Sequence, residues 1–67
     1  MNEVCEMRLK VLISSIKLNR DYNQRHAAYT RALTYLDALL DARVIGATDY
    51  LKWAEQVDKA YMPPFQG

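Results

Sequence analysis

The sequence predicts an all-α fold: a small three-helix domain built from an antiparallel helical hairpin plus a third helix. Three observations predict it. Apolar residues return every three or four positions along most of the chain, as on helical faces. No segment offers the alternating partner that a strand would need. The only internal glycine, Gly46, and the pair Pro63-Pro64 fall where helical segments would end.

The first helix is expected over residues 3–18. At about 100° per residue, Cys5, Leu9, Leu12, Ile13 and Ile16 share one side, and Val4, Met7, Val11 and Leu18 fall on another. Only a narrow wedge with Glu3, Glu6, Lys10 and Lys17 is plainly hydrophilic, and Glu6 stands in the favourable i,i+4 order before Lys10. A helix with two apolar faces is expected to lie between two partners. The β-branched Val11, Ile13 and Ile16 would also suit a strand, but nothing elsewhere could pair with it.

Asn19 to Asn23 is a short polar break, with Asn19 or Asp21 available as a cap. So tight a connection implies antiparallel packing. The second helix is expected over 21–43. Its seam reads Tyr22, His26, Tyr29, Leu33, Leu36 and Leu40, and a parallel line of Ala28, Ala32, Tyr35, Leu39 and Ala42 widens the stripe. Asp21 and Arg25 are spaced as an i,i+4 pair.

In the following turn Gly46 is read as a left-handed cap residue and Thr48 as the N-cap of a third helix over 48–61. Tyr50, Trp53, Val57 and Tyr61 share one face of that helix, with Trp53 as its expected core anchor. The prolines stop it, because neither donates a backbone hydrogen bond. The expected organisation is one domain, 1–62, with a tail, 63–67.

A chain of 67 residues has little interior, yet 51% of its residues are hydrophobic. Part of that surface is expected to meet a partner, and a homodimer is the default. Nine basic residues against eight acidic ones lack the charge excess of a dedicated nucleic-acid binder. The lone Cys5 makes no internal disulfide, no apolar run reaches a membrane span, and Glu3 and Glu6 stand where a signal peptide carries positive charge. A cytoplasmic setting is expected, and the size suits a bacterial or phage accessory product.

No chemistry is expected from the residues present. Cys5 and His26 are the only thiol and imidazole, without an evident orienting group. Neither the spacing of a zinc site nor a glycine-rich phosphate loop occurs. Catalytic, cofactor and metal residues are therefore expected to be none, and the function is expected to be protein–protein interaction by an accessory, adaptor or inhibitor protein.

Three residues are candidates for partner binding. Asp37 and Asp41 repel each other across one turn and face the negative end of the helix dipole, so a cation from another chain would relieve them. His26 lies on the seam, where an imidazole could make an interface pH-sensitive. The alternative function is a small nucleic-acid-binding regulator of transcription or replication, using Lys17, Arg20, Arg25 and Arg31 beside Tyr22 and Tyr29.

Overall fold

In the computed structural model, which describes residues 3–62, three helices follow one another: α1 (Glu3–Leu18), α2 (Tyr22–Asp41) and α3 (Ala47–Tyr61). All three pairs of helices pack together, and no strand occurs among the described residues. The expected tail, 63–67, lies outside those residues.

The ends of the helices follow from local chemistry. Asn19 closes α1, its backbone N–H and its side-chain amide both donating to the Ser15 carbonyl. Two residues later Asp21 opens α2 as its N-cap, accepting from the Gln24 amide at 3.1 Å and so satisfying one of the donors a helix start leaves unpaired. Both candidate caps are used, one for each helix, and the three-residue connection turns α2 back along α1.

The turn after α2 departs from the expected one. The left-handed residue is Arg43, at φ 60°, and Gly46 is extended at φ −93°. Val44 N–H bonds the Leu39 carbonyl and Arg43 N–H the Leu40 carbonyl, the crossed pattern of a Schellman turn. Helix α2 therefore stops at Asp41, two residues before its expected end. Thr48 lies inside α3, one residue past its start, and the N-cap is Gly46, which offers no side-chain hydrogen bond.

The core is one cluster drawn from every helix: Leu9, Ile13 and Ile16 of α1, Ala28, Ala32, Leu36 and Leu39 of α2, Val57 and Ala60 of α3, with Ile45 of the turn closing one end. Leu9, Ile16, Leu36 and Val57 are wholly enclosed, each side chain contributing about 1.5–3 kcal/mol. On α2 the buried line runs through Ala28, Ala32, Leu36 and Leu39. The expected seam is rotated from it: Tyr22 and His26 are exposed, and Tyr29, Leu33 and Leu40 flank the core. Alanines at 28 and 32 hold the centre because a short side chain lets neighbouring helices come close. The aromatic rings are displaced to the rim.

Trp53 is also half-buried and packs beside the core, where Val57 is the enclosed anchor of α3. Principal extents of 37 × 18 × 18 Å explain the limited burial. Three helices packed pairwise around one shared line leave each with a face at the surface.

Candidate functional site

That geometry leaves the second apolar face of α1 uncovered. Leu9, Ile13 and Ile16 point into the core, whereas Val4, Met7, Val11 and Leu18 are exposed. The expectation of a helix covered on both sides is met on one side only among the described residues.

Val4, Met7 and Val11 form one wall of a groove of about 560 Å³, and Tyr35 of α2 lies on the other side. Leu12 lies at the base, packed against the core. Two arginines, Arg8 from α1 and Arg31 from α2, complete a lining that is almost wholly apolar, so it is their aliphatic stems that border the groove. Cys5 is half-buried nearby, and its thiol shares a hydrogen bond with the Tyr35 hydroxyl. That bond, followed by desolvation, raises the Tyr35 pKa above its usual 10.0. The outward line of α1 is legible in the sequence. That Tyr35 and Arg31 would face it is not, since the antiparallel turn brings them from more than twenty residues away.

The candidates for partner binding fall at opposite ends of α2. His26 sits near its start, in an exposed aromatic group, its ring centroid 6.3 Å from Tyr22, 6.4 Å from Tyr29 and 6.0 Å from Tyr61. His26 Nδ1 and the Tyr61 hydroxyl are 3.2 Å apart, and the rings of Tyr29 and Tyr61 stack at 4.2 Å. Asp37 lies about 16 Å further along the helix, by its rise of 1.5 Å per residue. Its carboxylate accepts a 2.7 Å hydrogen bond from Tyr50 of α3, so a partner inside the fold meets a charge that the sequence leaves to another chain. Asp41 is exposed in the last turn of α2 and joins no salt bridge among the described residues.

Tyrosines stitch the rest of the α2–α3 seam. Tyr29 donates to Asp58 at 2.9 Å. This hydrogen bond and burial push the Tyr29 pKa above 10.0, as the bond to Asp37 does for Tyr50 and one with Tyr22 does for Tyr61.

Of the four candidate nucleic-acid contacts, Lys17 and Arg25 come together and Arg20 and Arg31 stand apart. Arg25, spaced to pair with Asp21, turns instead to the end of α3, where its guanidinium donates to the Ala60 and Tyr61 carbonyls at 3.1 and 2.5 Å. There it meets the negative end of the α3 dipole. Lys17 borders the same cleft as Arg25, together with Lys59. Arg20 is exposed at the first turn, and Arg31 belongs to the apolar groove.

Cys5 and His26 are not brought together: Cys5 meets Tyr35, which is about 13 Å along α2 from His26. Among the described residues no three His, Cys, Asp or Glu side chains are placed to hold a metal ion, and no helix is long and apolar enough to cross a membrane. No protein-family model, curated protein or solved structure matches the chain significantly.

Proposed function

We propose that this chain is a small non-enzymatic protein–protein interaction module, an accessory, adaptor or inhibitor that acts by binding a larger protein. One observation carries the reading: the outward face of α1, with Val4, Met7, Val11 and Leu18, is apolar at helical spacing and left exposed by the other described residues. Exposed apolar residues scattered singly are ordinary, but a continuous strip marks a contact surface. The homodimer expected from the composition is a second way to cover the same strip. A reducing, cytoplasmic setting belongs to the proposal and is supported by the single Cys5.

The runner-up, a small nucleic-acid-binding regulator, draws support from Lys17 and Lys59, which border two clefts on the α1–α3 side. Glu55 intervenes there and pairs with Lys59 at 3.8 Å, which weakens the patch as a phosphate site.

The test is affinity capture from cells of the native source, with the native chain and a Met7→Gln/Val11→Gln variant compared side by side by quantitative mass spectrometry. A protein retained by the native chain and lost from the variant supports the module. Equal retention of every captured protein contradicts it. Sub-micromolar, sequence-selective binding of DNA or RNA at physiological salt would promote the runner-up.

A further inference from the structure

We infer that the groove between α1 and α2 is built to receive an amphipathic helix of a partner protein whose apolar stripe is edged by carboxylates. The inference rests on the interaction-module reading above and names the chemistry of its partner. Three features carry it: the line of the apolar strip, the charge beside it and the surroundings of that charge.

The strip is linear. Val4, Met7 and Val11 are spaced by three and four residues, so their side chains follow the α1 axis for about 10 Å, and Leu18 carries the line to about 21 Å. Beside Val4, Met7 and Val11, Arg31 and Tyr35 of the second helix give the strip an opposite side and make it an open groove. A flat sheet face or a compact loop matches such a groove poorly. A helix laid along it, presenting anchors at i, i+3, i+4 and i+7, matches it in shape and in period.

The charge is of one sign. Arg8 and Arg31 line the groove, both exposed, and no acidic residue lines it. Among the described residues the only salt bridges are Glu6–Lys10 and Glu55–Lys59, so neither guanidinium has a carboxylate partner within the fold. Of the other acids, Asp37 is engaged by Tyr50 and Asp58 by Tyr29, and the exposed Glu3, Asp41 and Asp49 do not line the groove. A guanidinium presents a planar fork that suits a carboxylate through two parallel hydrogen bonds. The complementary anions must then come from the occupant.

Charge also separates this occupant from a second copy of the chain. In a symmetric dimer the same patch faces itself, which would set Arg8 and Arg31 of one copy near those of the other. Hydrophobic matching would survive and electrostatic matching would not. A bare phosphate or a nucleic-acid backbone would satisfy the arginines while leaving the apolar wall in water.

The test uses the full chain and two synthetic helical peptides with the same Leu stripe at i, i+3, i+4 and i+7, one flanked by Glu and the other by Lys. Binding is followed by fluorescence anisotropy at physiological salt, with sedimentation of the unliganded chain alongside. The acidic peptide should bind saturably and at least ten-fold tighter than the basic one. Arg8→Gln/Arg31→Gln should remove that preference, and Met7→Gln/Val11→Gln should abolish binding while the thermal melt stays in place. Equal affinity for the two peptides overturns the acidic assignment, and loss of both in Met7→Gln/Val11→Gln would still leave the module reading standing. Failure of both peptides to bind overturns the helix-receiving groove, with the capture experiment then judging the module by itself. A native dimer that Met7→Gln/Val11→Gln makes monomeric assigns the groove to a second copy and overturns the inference. Stronger binding to vesicles of anionic lipid than to either peptide overturns it in favour of a membrane surface.

Discussion

The two faces of α1 have nearly the same composition and opposite fates. On the inward face Leu9, Ile13 and Ile16 are at most 7% exposed, while on the outward face Val4, Met7, Val11 and Leu18 are 60–80% exposed. Both consist of aliphatic residues at helical spacing. What divides them is how many helices the chain has left to offer. Helices α2 and α3 together cover one side of α1, and no fourth element exists among the described residues. Hydrophobicity thus predicts what a residue prefers to touch, and the topology decides whether this chain supplies it.

The contrast is sharpest in the response to truncation. Leu9→Ala on the inward face should lower the unfolding free energy by about 2–5 kcal/mol, through lost burial plus the cavity left between the helices. For a domain of this size that is much of the total stability. A urea titration followed by circular dichroism measures it, and a shift near zero would mean that α1 is not anchored by this face.

Alkali should act mainly on the α2–α3 seam, with Tyr35 at the groove adding to the effect. The hydroxyls of Tyr29, Tyr50 and Tyr61 lie along the α2–α3 seam, and the pKa of each is raised above 10.0 in the folded chain. A group whose pKa is higher folded than unfolded binds its proton more tightly in the fold. Its stabilisation is complete below pH 10 and is lost as the pH climbs through the folded value. Stability should therefore be flat from pH 8 to about 9.5 and fall above pH 10. Replacing Tyr29 and Tyr50 with Phe should reduce the slope of that fall. A slope unchanged in Tyr29→Phe/Tyr50→Phe would mean that these hydrogen bonds do not persist in solution.

The α2–α3 turn allows the fold to be strengthened without touching either face of α1. Arg43 adopts the left-handed conformation at the position where glycine carries no side-chain penalty. Arg43→Gly should raise stability by about 0.5–1 kcal/mol, the relief of strain outweighing the added freedom of the unfolded chain. Affinity for the acidic peptide should not change. A destabilised Arg43→Gly variant would mean that the arginine side chain is itself engaged in the turn.

That turn also marks where the sequence stops being informative. Helix α1 has its expected bounds, and Asp21 caps α2 as its residue type suggests, because both depend on neighbours within a few positions. Gly46 misdirects the reading of the turn: glycine commonly takes the left-handed cap, yet here Arg43 takes it and Gly46 opens the next helix. Register on α2 was only half legible. The wide stripe was visible, but the line that becomes the centre depends on α1 and α3 pressing against Ala28 and Ala32, which spacing on α2 cannot reveal. The candidate site divides in the same way. The outward strip of α1 can be read from local period alone. Its arginine flanks, the Tyr50 partner of Asp37 and the engagement of Arg25 by α3 each need contacts between distant segments.

The outward face of α1 takes no part in holding the fold. The most direct measurement of this is the unfolding free energy of Met7→Gln/Val11→Gln, taken from urea titrations at protein concentrations a hundred-fold apart. Glutamine matches methionine in helix propensity and exceeds valine, so the helix itself is not weakened. Exposed positions away from packing contacts change stability by no more than about 0.5 kcal/mol, and the variant and the native chain should unfold within that margin at both concentrations. A loss of about 2 kcal/mol or more in the variant, or a native midpoint that rises with concentration, would contradict the account: the strip would then be buried in solution, by the chain itself in the first case and by a second copy in the second.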